Sequence, residues 1–464
     1  MERDHRRIKT FYKSLIVLLA IILFFIANKI NSAERPDNMD KEISVKRETR
    51  ESFAAPIPAL SLSKMRLFTG GRHLFRRTWT PAPSSVKSLD GLGPVFNRVS
   101  CSGCHVKDGR GRPPKDDGKF RSMVIKLAMI DNNNIYPDPN YGYQLNDKSI
   151  LGVPYEGKAK IDYSIIDIEL NDGTIKKISN PHYTFNSMSF GALNKNTKHS
   201  GRVAPAVFGL GLIEAITEKD LLKNADPEDL NNDGISGRAH KLVDKPSKKI
   251  MIGKFGWKAT RATLLHHITG AASQDMGLTS NIFPNENCMK IQKACLEQIN
   301  GGEPEVSDAQ IDRLLVYMQT LAPPRQRKIK NKSVLAGKNL FKEIGCESCH
   351  TPTYKTGEHP NHPELSNRII RPYSDFLLHD MGKGLDDGVA EGEAKSYEWK
   401  TPPLWGIGLV KIVNKHTRFL HDGRAGSIEE AILWHDGEAR NAKNNYISLN
   451  KENREKLLFF LNSL

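Results

Sequence analysis

Two short segments of this chain carry cysteine and histidine in the same order and at the same spacing. Residues 101–105 read CSGCH and residues 346–350 read CESCH. In the pattern C-x-x-C-H the thiols lie one helical turn apart, so both can form thioethers with one haem while the histidine binds its iron. We therefore predict two covalently bound haem c groups. The residues predicted to hold them are Cys101, Cys104 and His105 for the first haem, and Cys346, Cys349 and His350 for the second.

Other cysteine chemistry fits this pattern less well. Two C-x-x-C pairs can bind zinc, and a single pair can act as a redox dithiol of the thioredoxin kind. Neither alternative requires a histidine directly after the second cysteine, and both segments have one. The other two cysteines, Cys288 and Cys295, lie outside the motifs. An oxidising compartment favours a disulfide between them, and two free buried thiols are the alternative.

The first 33 residues resemble an export signal. Basic residues come first, an apolar run follows at residues 15–27, and residues 28–33 are polar. The apolar run is short for spanning a bilayer. We expect an exported, periplasmic protein that is either cleaved after Ala33 or associated with the membrane through an uncleaved N-terminal anchor.

Length and charge narrow the classes of function. A chain of 464 residues exceeds what one ordinary hydrophobic core supports, and a hydrophobic content of 38% indicates folded domains. The formal net charge is +15. Such a surface suits acidic electron-transfer partners or anionic lipids. Because no nucleic-acid-binding motif accompanies the charge, we expect no nucleic-acid partner.

An internal repeat indicates two domains of one kind. Residues 306–321 read VSDAQIDRLLVYMQTL, and residues 449–464 read LNKENREKLLFFLNSL; the two align without a gap. Apolar residues recur at helical spacing in both, with Ser307 and Asn450 at N-cap positions. Each segment predicts an amphipathic terminal helix of a haem domain. In the second copy, residues 333–341 supply the helix that crosses it.

We therefore predict a mainly α fold with two cytochrome c-like haem domains. The first domain carries a long insertion at about residues 110–250. Within it, Ile166–Leu170 and Thr174–Ile178 flank the turn sequence Asn-Asp-Gly, which predicts a β-hairpin. The predicted units are a signal peptide or anchor (1–33), an N-terminal extension (34–85), the first haem domain (86–325) and the second haem domain (326–464).

Further motifs connect the chain to a known family. In chain order they are RVAP at 202–205, GLGL at 209–212, DGISGR at 233–238, DMG at 275–277, LHDMG at 378–382 and FLHDGRA at 419–425. This series resembles the di-haem oxidoreductase family, which is described as peroxidase-like or thiol oxidoreductase-like, and more distantly the bacterial di-haem cytochrome c peroxidases. The resemblance implies that one haem has an open distal side and meets the oxidant, while the other is six-coordinate and relays electrons.

The resemblance also implies catalytic residues near the first haem. A haem peroxidase needs a group that moves a proton from one oxygen of bound peroxide to the other. In the di-haem peroxidases a glutamate in a Glu-Met-Gly segment has this role, and the matching segment here begins at Asp275. We expect Asp275 to be the acid/base group, with His267 and Gln274 as polar neighbours. Two alternatives stay open: Asp275 as a helix-capping or structural carboxylate, and Met276 as an iron ligand that closes the site.

For the second haem, the resemblance places His435 where the peroxidases carry a distal methionine. A second imidazole on the iron would give a lower potential than a thioether. Met381 and His379 are competing ligands, and a purely structural histidine is the remaining interpretation.

One loop resembles the start of a calcium site. Asp229, Asn231 and Asp233 alternate before a glycine, as oxygen ligands do in an EF-hand, but His240 stands where the closing glutamate would be. The related di-haem peroxidases hold calcium between their domains, which favours a calcium site here. An Asx-rich turn is the alternative.

Together these features predict a periplasmic di-haem c-type oxidoreductase that reduces peroxide or another small oxidant. Electrons would pass from a small donor protein, such as a cytochrome or a cupredoxin, to the second haem and then to the first. Two other functions stay open: a non-enzymatic di-haem electron-transfer cytochrome, and an oxidoreductase that acts on thiols or metal ions.

Overall fold

A computed structural model describes residues 41–115, 118–132 and 134–464. Helices make up 28% of the described residues and strands 19%, with many small sheets. The prediction of a mainly α fold is therefore wrong. Within these ranges no helix is long and apolar enough to cross a membrane. The predicted signal peptide or anchor at residues 1–33 lies outside the described residues.

Most helices are short, and three of the longer ones lie at the positions of the internal repeat. The helices, numbered along the chain, are α1 Leu62–Arg76, α2 Cys101–Cys104, α3 Leu210–Glu214, α4 Glu218–Leu222, α5 Leu264–Met276, α6 Lys293–Leu296, α7 Asp308–Thr320, α8 Lys332–Glu343, α9 Val410–Asn414, α10 Ile428–Leu433, α11 Arg440–Ser448 and α12 Lys451–Ser463. Turns of 3₁₀-helix lie at Val106–Asp108, Cys346–Ser348, Pro363–Leu365, Ile407–Leu409 and Gly437–Ala439.

The strands pair antiparallel throughout the described part of the chain. They are β1 Val95–Phe96, β2 Met123–Asp131, β3 Asn134–Tyr136, β4 Gln144–Leu145, β5 Lys148–Ser149, β6 Lys158–Glu169, β7 Ile175–Asn186, β8 Thr197–Val203, β9 Lys241–Val243, β10 Ile250–Ile252, β11 Tyr354–Lys355, β12 Ile369–Ile370, β13 Leu378–Asp380 and β14 Glu398–Lys400. Strand β2 pairs with β3, β4 and β8. The other pairs are β1 with β5, β6 with β7, β9 with β10, β11 with β12 and β13 with β14.

The predicted hairpin is confirmed and is longer than the sequence signal. Strands β6 and β7 pair over twelve residues each, from Lys158 opposite Asn186 to Glu169 opposite Ile175. Gly173 in the turn has φ +78°, a conformation that favours glycine. The prediction of fold class failed because of other strands, above all the long pairing of β2 with β8. These two strands lie far apart in the sequence, so no local pattern shows that they pair.

The two terminal helices of the repeat each cross an earlier helix, and glycine makes both contacts close. A Cβ atom added at Gly71 in α1 would lie 1.9 Å from the Arg313 carbonyl oxygen in α7. One added at Gly337 in α8 would lie 2.1 Å from the Lys456 carbonyl oxygen in α12. The predicted crossing of residues 333–341 with the last helix is thus confirmed. In the first copy the crossing helix is α1, which lies in the predicted N-terminal extension. The domain boundaries stay predictions.

Each crossing places a phenylalanine beside the histidine of a haem motif. The ring centroids of Phe75 and His105 are 6.1 Å apart, and those of Phe341 and His350 are also 6.1 Å apart. The repeat therefore positions the two predicted iron ligands in the same way. The predicted disulfide is confirmed as well, since Cys288 and Cys295 are bonded with their Cα atoms 5.8 Å apart.

Two large apolar clusters form the main cores. One packs α1 and α7 with the loop around Phe208, and the other packs α8, α10 and α12. Leu170 and Ile178 of the β6–β7 hairpin belong to the second cluster. The insertion predicted for the first haem domain thus contributes side chains to the core of the second.

Candidate active site

A hydrogen bond to a distant loop orients the histidine of the first haem motif. Cys101–Cys104 forms the single helical turn α2, and the His105 ring follows it with Nδ1 2.6 Å from the Pro205 carbonyl oxygen. Donation from Nδ1 to a carbonyl leaves Nε2 with its lone pair free for a metal. Burial lowers the pKa of His105, which favours the neutral ring that binds iron.

The second motif repeats this arrangement. The His350 ring lies with Nδ1 2.9 Å from the Tyr373 carbonyl oxygen, so its Nε2 is also free. Burial lowers the pKa of His350 to about 4. The thiols of Cys101, Cys104, Cys346 and Cys349 form no disulfide. The donor set at both motifs therefore fits a haem attached by two thioethers and bound through Nε2.

A large cavity opens beside the first motif. Its volume is about 760 Å³, within the range of sites that hold cofactors or substrates. Cys104 and His105 form part of one wall. Helix α5 supplies another wall through residues spaced by helical turns, including His267, Gln274 and Asp275. The structure thus brings the three predicted catalytic residues to the cavity that the predicted iron ligand faces.

Helix α5 is fixed at both ends. At its start the Thr263 hydroxyl accepts from the His266 amide. At its end the Asp275 carbonyl accepts from the amides of Asn97 and Arg98, just before the first haem motif. Gly277 follows with φ +67°, and its close approach to the backbone of the segment before the motif leaves no room for a side chain. The end that carries Asp275 is therefore tied directly to the motif.

Each predicted catalytic side chain has its own environment. The Asp275 carboxylate accepts from Gln144 Nε2 at 2.8 Å, and Gln274 Oε1 accepts from Lys126 Nζ at 2.7 Å. Burial, and then the charge of Arg261, lower the pKa of His267 to about 3, so this ring is neutral. Asp275 is the penultimate residue of α5 and does not cap its N-terminus.

Met276 does not share this cavity. Its side chain is buried in an apolar cluster with residues such as Trp79, Leu92 and Phe96. Cys101 of the first haem motif packs against the same cluster, so Met276 as a ligand of the first iron stays a prediction.

The cavity is also lined by a set of charged residues that the sequence did not predict. Lys126, Arg202, Arg261 and Glu391 line it together. Burial alone would raise the pKa of Glu391, but Arg202, Lys126 and other cations lower it, so the carboxylate is ionised. Lys126 could have been recognised from the sequence, because it interrupts the apolar residues of β2. Glu391 could not, because it lies in a loop with no recognisable pattern.

At the second motif, the candidate ligands differ in which atoms are free. Both nitrogens of His379 are bonded to carboxylates, Nε2 to Asp375 at 2.7 Å and Nδ1 to Glu438 at 2.6 Å. Both His379 nitrogens are therefore engaged in this arrangement, and His379 as an iron ligand stays a prediction. His435 has Nδ1 2.7 Å from the Ala431 carbonyl oxygen, which leaves Nε2 free, and burial lowers its pKa. Met381 packs partly buried against the second core.

The predicted calcium loop uses its oxygens internally. Asp229 accepts from the Gly234 amide, Asn231 from the Asp233 amide, and Asp233 from the Ile235 amide. These bonds are those of an Asx-rich turn. Calcium binding by these three side chains stays a prediction.

Comparisons with known proteins agree with the motifs. The sequence matches the family described as “Di-haem oxidoreductase, putative peroxidase” over residues 40–129 and 171–464. No curated protein sequence matches the chain. Among solved structures, hydrazine synthase of Kuenenia stuttgartiensis pressurised with xenon is similar at 13% identity and a TM-score of 0.32, covering 89% of this chain and 94% of that one.

Proposed function

Since this chain belongs to the di-haem oxidoreductase family, we propose that it is a c-type enzyme that reduces peroxide at the cavity beside His105. The observation that carries the proposal is the convergence of His105, His267, Gln274 and Asp275 on that one cavity. Covalent haem c at both motifs is part of the proposal. When bound, the haem supplies the iron that binds peroxide and passes electrons to it.

The protein's own groups would manage protons and orientation. Reduction of hydrogen peroxide to two waters consumes two electrons and two protons. The Asp275 carboxylate, positioned by Gln144, would accept a proton from one peroxide oxygen and return it to the other. The Gln274 amide, held by Lys126, and the neutral His267 ring would orient the peroxide through hydrogen bonds.

The second haem would store and relay electrons. His350 and His435 each present a free Nε2, and together they would complete a six-coordinate iron that exchanges electrons without binding substrate. Electrons would enter from a small donor protein. We place this exchange in the periplasm, where C-x-x-C-H segments receive haem and where the basic surface would meet an acidic donor.

A purely electron-carrying role would require both irons to be closed. Met276 is buried in an apolar cluster and does not line the cavity, and this supports an open first site. For oxidation of thiols or metal ions as the main reaction, no contact in the described residues gives specific support.

The first experiment tests the cofactor. The purified protein, denatured in alkaline pyridine, should show a covalent haemochrome spectrum equivalent to two haems per chain. Replacing Cys101 and Cys104 with alanine should remove one haem and leave the other. If the denatured protein lacks any covalent haem, the proposal fails at its foundation.

The second experiment tests catalysis. Asp275→Asn should lower kcat/KM for hydrogen peroxide by roughly two orders of magnitude or more, since positioned acid/base groups contribute about 10²–10⁴-fold. Asp162→Asn is the matched control, because Asp162 lies on the exposed face of β6 and pairs with Lys160. Equal peroxide turnover by the two variants would remove Asp275 from the mechanism. Two low-spin irons that never react with peroxide would identify an electron carrier instead.

A further inference from the structure

A second, smaller cavity adjoins the first. Its volume is about 130 Å³, and Pro205, Trp257 and His267 line both cavities. Its remaining wall includes Lys400 of strand β14 and Arg110, which follows the first haem motif. This space therefore lies where the N-terminal and C-terminal parts of the chain meet, next to the first haem motif.

Lys400 is buried without a good acceptor. Its side chain is 7% exposed, and the nearest recorded acceptor of Nζ is the neighbouring Thr401 carbonyl at 3.4 Å. Lys254 lines the same cavity at similar burial, but its Nζ donates to the carbonyls of Glu214 at 2.9 Å and Ile216 at 2.6 Å. Burial lowers the pKa of both lysines to about 8. The protein therefore provides good hydrogen-bond acceptors for Lys254 but not for Lys400.

Arg110 faces the same cavity with an incomplete set of partners. Its Nη2 donates to the Leu420 carbonyl at 2.6 Å, but its buried Nε has no hydrogen-bond partner among the described residues. Burial lowers the pKa of Arg110 to about 10. A carboxylate acts on each cation through its charge, Asp375 on Lys400 and Asp422 on Arg110, but neither carboxylate forms a hydrogen bond with its cation among the described residues. A buried charged group whose hydrogen bonds are incomplete costs free energy. Two buried cations with incomplete hydrogen bonds line one cavity, and this favours an anionic occupant that would complete those bonds.

We propose that Lys400 and Arg110 form a carboxylate-binding site next to the first haem motif, and that a propionate of haem c occupies it. A carboxylate suits both cations, because the ammonium and the guanidinium form their strongest hydrogen bonds with ionised oxygens. A free small carboxylate has the same chemistry and is the other source. The assignment of the carboxylate to a haem propionate rests on the proposed function, since it requires haem c to be attached.

The position of Lys400 gives its charge a measurable role. Nζ lies 5.6 Å from the Phe376 ring centroid, and Phe376 follows the loop that binds His350. The Lys400 charge also lowers the pKa of His267 in the first cavity. A positive charge here disfavours the ferric state of a nearby haem because that state carries one more positive charge. Removing it lowers the midpoint potential.

The experiment is a spectroelectrochemical titration of the full-length holoprotein. Lys400→Met should lower the midpoint potential of at least one haem, and Lys400→Arg should restore most of the shift. Lys254→Met is the matched control and should shift both potentials much less than Lys400→Met, because two carboxylates, Glu214 and Glu218, already oppose the Lys254 charge. Arg110→Gln is a second variant that should lower a potential in the same direction.

The source of the carboxylate is tested by repeating the titrations with and without millimolar formate. Potentials that are independent of formate but sensitive to Lys400→Met support the propionate. A formate response in the wild type that Lys400→Met abolishes supports a free carboxylate and overturns the haem source. Potentials that Lys400→Met leaves unchanged in both buffers overturn the site. The haemochrome assay on each variant separates these outcomes from a loss of haem itself.

Discussion

His379 shows how a single buried residue can be committed to structure. Its ring is 2% exposed, and both nitrogens are bonded to carboxylates, Asp375 and Glu438. Burial by itself would lower the pKa of His379, but Asp375 raises it well above its ordinary value. The ring is therefore a cation that balances two acids beside the second haem motif.

We expect His379→Gln to destabilise the fold by about 3–5 kcal/mol, because it leaves buried charges without their partner. The folded pKa lies above the unfolded one, so this contribution is complete below about pH 6.5 and declines as pH rises through the folded pKa. Urea unfolding at pH 6 and pH 9 measures both effects. His182→Gln is the control, since His182 is an exposed hairpin residue bonded to Ser164. A wild-type–variant difference that grows with pH would contradict the assignment.

At the level of residues, the sequence predicted which residues are candidates for the chemistry better than it predicted the groups that surround them. The spacing of the haem motifs predicted His105 and His350, because that chemistry is local. It did not predict the carbonyls of Pro205 and Tyr373 that orient them, since these lie 100 and 23 residues away. The cations around the cavity were missed for the same reason: they come from several segments that only the folded chain brings together.

Among the elements, the two helix crossings carry the internal repeat. The terminal helices α7 and α12 were predicted because apolar spacing and N-caps are local signals. Helix α1 has only Phe68, Gly71 and Phe75 buried, and so narrow an apolar face gave no clear helical pattern in the sequence. The strands were harder still: β2 pairs with β8, with Met123 opposite Val203, and no local pattern reveals so distant a partner.

The crossing of α1 and α7 predicts opposite effects for two adjacent glycines. Gly71→Ala should destabilise the protein by about 1–3 kcal/mol or more, because its Cβ would lie 1.9 Å from a backbone oxygen that cannot move without separating the helices. Gly70→Ala should be neutral or stabilising by up to about 1 kcal/mol, since its Cβ meets only a flexible Arg313 carbon at 3.5 Å. Thermal unfolding of both variants measures the difference. Equal stabilities would show that the helices do not pack this closely.

Across the whole molecule, the β6–β7 hairpin joins the two parts of the chain. Its turn residue Asp172 pairs with Arg454 of α12 at 2.5 Å, and Lys176 pairs with Glu429 of α10 at 2.7 Å. The family match omits residues 130–170, which include β6. The sequence predicted the hairpin turn from Asn-Asp-Gly. It did not predict where the hairpin docks, because docking depends on contacts made far along the chain.

This docking predicts that a change in the insertion will loosen the C-terminal core. Leu170 is 2% exposed within that core, so Leu170→Ala should cost about 2–5 kcal/mol. Hydrogen exchange should then increase in α11 and α12, which are more than 260 residues away in sequence. Ile175→Ala on the same hairpin is the control, because Ile175 is 60% exposed and should leave exchange unchanged. If Leu170→Ala increased exchange only in β6 and β7, the hairpin would not contribute to the stability of the C-terminal core. Exchange that spreads to the last two helices would mean that the insertion and the second haem motif's helices open together.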